Sequence, residues 1–119
     1  MQSDDSMQKI SLTRPDDWHL HVRDDAAMRA VIPYTAQQFG RAIIMPNLKK
    51  PIVTVDEALA YYGRIKNALP QDNDFEPLMS LYLTEQTTPE EIRRLAAEPR
   101  VLAVKLYPAG ATTHSAAGV

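Results

Sequence analysis

Apolar and polar positions along the chain follow two periods, one typical of buried strands and one typical of amphipathic helices. Four short apolar runs predict strands, at residues 18–22, 41–45, 75–83 and 101–107. Between them, apolar residues recur at helical spacing in three stretches, which begin at about Asp25, after Thr54 and after Thr88. The first helix is expected to be interrupted near Pro33. The resulting order, β-α-β-α-β-α-β, predicts parallel strands.

Two of these helices carry a clear N-terminal signal. Thr54 is followed three residues later by Glu57, and Thr88 by Glu91. Each pair predicts a capping box, in which the two side chains reciprocally bond backbone amides of the first turn. Each helix is then expected to bury one apolar face. In the last helix that face comprises Ile92, Leu95 and Ala96.

This order of elements fits either a doubly wound sheet or part of a (β/α)8 barrel. A complete barrel needs about 250 residues, whereas this sequence has 119. We therefore predict an α/β fold of the TIM-barrel type, in which residues 1–119 supply about the first half of one domain and residues 1–7 form a loose tail. The sequence ends in a loop-like stretch, so we expect a longer protein. An open half barrel exposes two strand edges and is expected to fold poorly alone.

The amino-acid composition argues against several classes of function. No apolar run approaches the roughly 20 residues that span a bilayer. The first residues have neither the basic nor the apolar region of a secretory signal peptide, so no such signal is expected. A net charge of −2 without a dense basic patch argues against nucleic acid as a partner. The absence of cysteine excludes disulfides and thiolate metal sites. Any metal must be held by histidine, carboxylate or a modified side chain, and a cytoplasmic location is the default expectation.

The strongest local feature is the pair His19 and His21. In a strand, positions i and i+2 point to one face, so the two imidazoles can offer two nitrogens to one metal. Taken alone, the pattern more often marks ordinary hydrogen-bonded histidines. Arg23 would share this face if the strand continued, and its guanidinium could hold a carboxylate by two hydrogen bonds. The alternative is a surface pair with Asp24 or Asp25.

Two further candidates stand at or near predicted strand ends. Asn47 directly follows the second strand, at the end where parallel α/β folds bind ligands, although a turn asparagine is equally compatible. Lys105 lies within the fourth apolar run. A buried lysine tends to lose its proton, and the neutral amine can react with carbon dioxide to give a carbamate that bridges two metal ions. The alternative is a lysine reaching out from an edge strand. Alternation predicts a shared face for Val101, Ala103, Lys105 and Tyr107.

The final loop contains Thr112 and Thr113, whose hydroxyls could close over a substrate or could be solvated turn groups. His114 lacks neighbouring candidate ligands and is not expected to bind metal. Trp18 is expected in the core rather than in a functional role.

Together these residues resemble a known family. The stretch RPDDWHLHVRD at residues 14–24, MPNL at 45–48 and KLYPA at 105–109 resemble, in the same order, three motifs of the class II dihydroorotases of the amidohydrolase superfamily. The resemblance extends from about Lys9 to the last residue. The long first motif is highly specific, whereas the His-x-His pattern marks only the superfamily.

The resemblance implies a (β/α)8 barrel with two zinc ions. It implies that His19 and His21 bind one zinc, that carboxylated Lys105 bridges both, and that Arg23 and Asn47 hold the substrate carboxylate. Thr112 and Thr113 would belong to a mobile loop over the substrate.

The implied reaction is the reversible hydrolysis of L-dihydroorotate, a small molecule, to N-carbamoyl-L-aspartate in de novo pyrimidine biosynthesis. The resemblance also implies that the enzyme is a homodimer. The family's catalytic aspartate and remaining zinc ligands would lie beyond Val119, so no catalytic residue is expected within this chain, which alone is expected to be inactive. Alternatives are another cyclic amide hydrolase, of the hydantoinase type, and a non-catalytic truncated barrel that acts as a binding or scaffold protein.

Overall fold

A computed structural model describes residues 7–119 of the chain. It contains four strands and three helices in the predicted order. They are β1 (Asp17–Leu20), α1 (Asp25–Gln38), β2 (Arg41–Ile44), α2 (Val55–Ala68), β3 (Glu76–Tyr82), α3 (Pro89–Ala96) and β4 (Val101–Lys105). The predicted tail lies outside the described residues except for Met7, which is 83% exposed. No helix of the described part combines the length and the hydropathy needed to cross a bilayer.

The four strands form one parallel sheet in the spatial order β1-β2-β3-β4. Each strand therefore pairs with the next one in sequence, as in a barrel. A doubly wound sheet would instead reverse its strand order at a switch point, and residues 7–119 contain no such reversal. The four carboxyl ends consequently lie along one edge of the sheet.

The core lies between the sheet and the first two helices. Met28, Ile32 and Ala36 of α1 and Ala58, Tyr61 and Ile65 of α2 are each at most 1% exposed. They pack against alternate side chains of the strands, including Ala42, Ile44, Met79 and Leu81. This burial supplies the main driving force for attaching α1 and α2 to the sheet.

The expected interruption of α1 at Pro33 is wrong, because the helix continues to Gln38. Proline removes the amide that would bond to the carbonyl four residues earlier. That carbonyl belongs to Arg29, which lies on the exposed side of the helix. Ile32 and Ala36 remain in the core on either side of Pro33, and their packing outweighs the local cost.

Each predicted capping box forms only its first half. Thr54 Oγ1 accepts a hydrogen bond from the Glu57 amide at 3.1 Å, and Thr88 Oγ1 accepts one from the Glu91 amide at 3.2 Å. The glutamates do not return to the cap residues. Glu57 accepts from the amide of Val53, and Glu91 reaches the Val55 amide at 2.6 Å. Glu91 therefore joins α3 to the first turn of α2, a tertiary contact that local spacing does not reveal.

Two predictions of burial are wrong. None of the residues of α3 is buried, and Ile92 is 38% exposed, so the predicted apolar face of that helix is only partly covered. Trp18 is 53% exposed and lies under the guanidinium of Arg41, 5.3 Å from the ring centre.

The face assignment in β4 is also partly wrong. Met79 pairs with Val101 while the next residue, Ser80, pairs with Ala103, so β4 has one extra residue at this point. Such a bulge reverses the alternation that follows. Val101 therefore packs in the core, whereas Lys105 pairs with Tyr82 on the opposite face.

Candidate functional site

The candidate site lies where β1, β2 and β4 end. His19 is within β1 and His21 follows it, Asn47 follows β2, and Lys105 is the last residue of β4. Because parallel strands end at the same edge, residues far apart in the sequence, such as His19 and Lys105, lie along that edge.

The two histidines converge. His19 Nε2 and His21 Nε2 are 3.1 Å apart, and the ring centres are 5.0 Å apart. Both histidines are exposed. The strand ends at Leu20, so His21 reaches this position from just beyond it.

The surroundings favour a neutral His21. Its pKa is lowered, first by partial burial of the ring and then by electrostatic repulsion from Arg23, His19 and Lys105, while a hydrogen bond to Asn47 opposes the shift. A neutral imidazole keeps a lone pair free on one nitrogen, which is the form that binds metal.

Arg23 adopts an unexpected backbone conformation. Its φ is +58°, in the left-handed region that favours glycine, so β1 does not continue to it as the alternation argument required. Its guanidinium nevertheless reaches the segment that follows β2, where Nη1 donates to the carbonyl of Asn47 at 3.3 Å. The alternative surface pair is not formed, since Asp24 binds Arg64 instead.

Asn47 is 1% exposed and is held by several partners. Its Oδ1 accepts from the hydroxyl of Tyr107 at 3.0 Å, and its Nδ2 donates to the carbonyl of Thr113 at 2.8 Å. The alternative was a turn asparagine, and the side-chain bonds to Tyr107 and Thr113 go beyond what a local turn requires. These bonds fix which amide atom faces which neighbour and leave one Nδ2 hydrogen for another acceptor.

Lys105 is half-buried rather than buried, which corrects the expectation from the apolar run. The physical reason is that β4 has a neighbouring strand on one side only within the described chain. Lys105 Nζ lies 5.9 Å from the centre of the Tyr107 ring, which itself stacks on Tyr82 with centres 4.7 Å apart.

The loop after β4 folds back against the site. Ser115 is buried, and its hydroxyl bonds both the amide and the carbonyl of Thr112, at 2.9 and 2.7 Å. Thr112 and Thr113 are both exposed, and the contact with Asn47 uses the Thr113 carbonyl rather than a hydroxyl. A side chain at Gly118 would collide with the Tyr107 carbonyl, with 1.9 Å between the added carbon and the oxygen, so the loop can approach β4 only with glycine there.

The histidine pair fits a metal ion of the zinc class. Zinc binds imidazole nitrogens at about 2.0–2.1 Å, so two nitrogens of a tetrahedral site stand about 3.3 Å apart. The observed 3.1 Å between the Nε2 atoms is close to this value. Among residues 7–119 no third histidine or carboxylate joins the pair to complete a ligand set.

Sequence reasoning missed three side chains that support the candidate residues. Tyr107 bonds Asn47, the hydroxyl of Tyr61 donates to the carbonyl of Arg23, and Arg64 binds Asp24. Tyr107 had a signal, because alternation placed it on the Lys105 face. Tyr61 and Arg64 had none, since their partners are 38 and 40 residues away.

No protein-family model matches the chain. Dihydroorotases of Azoarcus sp. and Aromatoleum aromaticum are each 64% identical to it over 113 residues, which are 95% of this chain and 33% of each relative. The dihydroorotase of Nitrosomonas eutropha is 65% identical over 113 residues. The chain therefore spans about a third of the length of the curated relatives that it matches.

Solved structures give the same correspondence. A Saccharomyces cerevisiae dihydroorotase in complex with 5-fluoroorotic acid superposes with a TM-score of 0.85 at 39% identity, over 95% of this chain and 30% of that one. The Campylobacter jejuni dihydroorotase gives 0.79 at 38% identity, over 89% and 30%. These matches confirm the predicted fold, a parallel α/β sheet that corresponds to the first half of a TIM barrel.

Proposed function

Because the chain corresponds to the N-terminal portion of dihydroorotases, we propose that the native protein catalyses the reversible hydrolysis of L-dihydroorotate to N-carbamoyl-L-aspartate. We assign residues 1–119 to the first half of a single barrel domain. The observation that supports the proposal is the convergence of His19 and His21 at the carboxyl edge of a sheet that corresponds to that family. Arg23 contacts Asn47 at the same edge, where β4 ends with Lys105.

In this proposal His19 and His21 would hold one zinc ion, and Lys105, carboxylated on its amine, would supply oxygen ligands to that ion and to a second one. Two such ions, when bound, lower the pKa of a water molecule and polarise a carbonyl group. The supporting observations are the spacing of the Nε2 atoms and the lowered pKa of His21, which keeps its imidazole neutral. Half-burial leaves the Lys105 amine accessible to carbon dioxide.

Arg23 and Asn47 are proposed to bind the carboxylate of the substrate. A guanidinium offers paired donors to a carboxylate, and Asn47 has one amide hydrogen free beside it. Thr112 and Thr113 are proposed to contribute from the loop, which already touches Asn47. The bonds to Tyr107 and Thr113 orient the Asn47 amide before the substrate arrives, which lowers the ordering cost of binding.

The remaining parts of the proposal come from the resemblance alone. We propose that the general acid-base aspartate and the other zinc ligands come from residues beyond this chain, that the protein acts on a free small molecule, and that it assembles as a homodimer. De novo pyrimidine biosynthesis and a cytoplasmic location belong to the same proposal.

The activity is tested on the native protein with zinc bound. We expect hydrolysis of L-dihydroorotate and little hydrolysis of hydantoin, which lacks the carboxylate that Arg23 and Asn47 are assigned to hold. A preference for hydantoin would favour the hydantoinase alternative. No hydrolysis of either compound by zinc-loaded protein would overturn the proposed activity.

The metal assignment has its own test. Replacing His21 with alanine removes one of two converging ligands, and we expect zinc affinity to fall by about 100-fold or more. His114→Ala is the matched control, because it removes an exposed imidazole outside the pair. Equal zinc affinity in the two variants, measured by competition with a chromophoric chelator, would contradict the assignment.

A further inference from the structure

The backbone on either side of Asp24 is conformationally unfavourable. Arg23 has φ +58° and Asp25 has φ +51°, while Asp24 between them is extended. Left-handed conformations are disfavoured for residues with a Cβ atom and persist only where surrounding contacts enforce them. Two such residues so close together at the candidate site therefore require an explanation from their neighbours.

The enforcing contacts come from one face of α2. The buried Tyr61 hydroxyl donates to the carbonyl of Arg23. One turn later, Arg64 binds Asp24 through two hydrogen bonds, from Nε to Oδ1 at 3.0 Å and from Nη2 to Oδ2 at 2.8 Å. Asp24 Oδ1 also accepts from the amide of Asp25 at 2.9 Å.

These contacts form one rigid unit. Tyr61 and Arg64 are three positions apart in a helix and therefore share a face. The Arg64 guanidinium also lies over the Tyr61 ring, 5.2 Å from its centre. Because Tyr61 is 1% exposed within the core, the unit is fixed to the packed part of the sheet.

The consequence concerns where the Arg23 side chain points. From this backbone conformation its Nη1 reaches the Asn47 carbonyl at 3.3 Å. An extended conformation at Arg23 would redirect the Cα–Cβ bond, since alternation is what sets side-chain direction in a strand. The left-handed turn thus decides whether the guanidinium meets the end of β2.

We propose that Tyr61 and Arg64 are positioning residues, which hold the Arg23–Asp25 backbone in the conformation that aims the Arg23 guanidinium at bound carboxylate. This inference rests on the proposed function, because it assumes that Arg23 binds the substrate. Neither residue touches the substrate. They act through the carbonyl of Arg23 and the carboxylate of Asp24.

The test compares Tyr61→Phe with Tyr62→Phe in the native protein. Both variants remove one phenolic donor from adjacent positions of α2, but the Tyr62 hydroxyl bonds Glu76, away from the site. We expect Tyr61→Phe to raise KM for dihydroorotate by about tenfold with kcat changed by less than about twofold. Tyr62→Phe should leave both constants unchanged. Equal effects of the two variants would show a merely structural role and overturn the proposal.

Arg64 provides an independent second test if Tyr61→Phe folds poorly. Arg64→Ala should raise KM by about tenfold, and Arg64→Lys should restore part of the loss, because lysine keeps the charge without the paired geometry. Zinc content should stay at the native level in both. Native KM in Arg64→Ala would refute the inference.

An Arg23→Ala background separates the two levels of the argument. If Tyr61 acts through Arg23, adding Tyr61→Phe to Arg23→Ala should raise KM no further. A full additional tenfold increase would overturn the positioning role while leaving the carboxylate assignment intact. If Arg23→Ala alone keeps native KM, the assignment of Arg23 fails, and the positioning role fails with it.

Discussion

Two regions of this fold contribute residues to the candidate site, and they differ in how well their strands are packed against helices. In the first, β1 and β2 pack on α1 and α2, and both helices bury apolar side chains completely. In the second, β4 is covered mainly by α3, a helix with no buried residue, and Leu102 and Leu106 are 49% and 55% exposed. The site therefore joins a well-packed half to a weakly packed one.

The contrast explains how the candidate residues are held. Asn47, which follows β2, is 1% exposed, and its side chain is fixed by hydrogen bonds to the Tyr107 hydroxyl and the Thr113 carbonyl of the segment after β4. Lys105, in the second region, is half-buried at the sheet edge, and its Nζ makes no hydrogen bond among the described residues. Contacts within residues 7–119 thus define the carboxylate-binding side of the site more firmly than the proposed metal-bridging side.

The largest expected effect is on the 119 residues expressed alone. With an open edge at β4 and exposed leucines beside it, we expect a broad thermal transition and rapid amide exchange in residues 89–107. Amides of α2 and β3 should exchange more slowly. A sharp, reversible transition with uniform protection would contradict the difference between the regions.

A core substitution measures the same difference in the native protein. Ile65 of α2 is 0% exposed and Ile92 of α3 is 38% exposed, and both are helical, so replacement by alanine changes helix propensity equally. We expect Ile65→Ala to lower the free energy of unfolding by about 3–4 kcal/mol and Ile92→Ala by less than about 1 kcal/mol. Urea denaturation gives both values, and similar losses would mean that α3 is as well packed as α2.

The same contrast shows how much could be predicted from sequence. The order of all seven elements follows from local periodicity, and the structure confirms it. The errors concern places where a distant contact decides the outcome. Pro33 stays helical because neighbouring side chains are in the core, and Glu91 leaves its own cap for the Val55 amide.

The same distinction between local pattern and distant contact applies to the candidate site. The positions of the two histidines and Asn47 at strand ends follow from alternation and from strand order, and the two histidine Nε2 atoms lie 3.1 Å apart. The left-handed conformation of Arg23 does not follow, because no glycine marks it and its supports are on α2. The bulge in β4, which changes the neighbours of Lys105, is equally invisible in an apolar run.

The smallest expected effect compares one ion pair from each region. The pKa of Asp24 is lowered overall. Burial alone would raise this pKa, but the hydrogen bonds from Arg64 and the Asp25 amide, together with the charges of Arg64 and Arg29, outweigh the effect of burial. In the α3–β4 turn, hydrogen bonds from Arg100 lower the pKa of Glu98. The Asp24–Arg64 pair links residues 40 apart, whereas Glu98 and Arg100 are two apart.

A carboxylate whose pKa is lower in the folded state stabilises the fold above its unfolded pKa, and this contribution is lost as pH falls through the folded pKa. The local Glu98–Arg100 pair can also form in the unfolded chain, so most of its contribution cancels. We therefore expect Asp24→Asn to cost about 1 kcal/mol at pH 7, a difference that shrinks below about pH 4, and Glu98→Gln to have little effect. Urea midpoints of metal-free protein at pH 7 and pH 3.5 measure this, and a pH-independent cost for Asp24→Asn would show that capping geometry, rather than the ion pair, stabilises the first region.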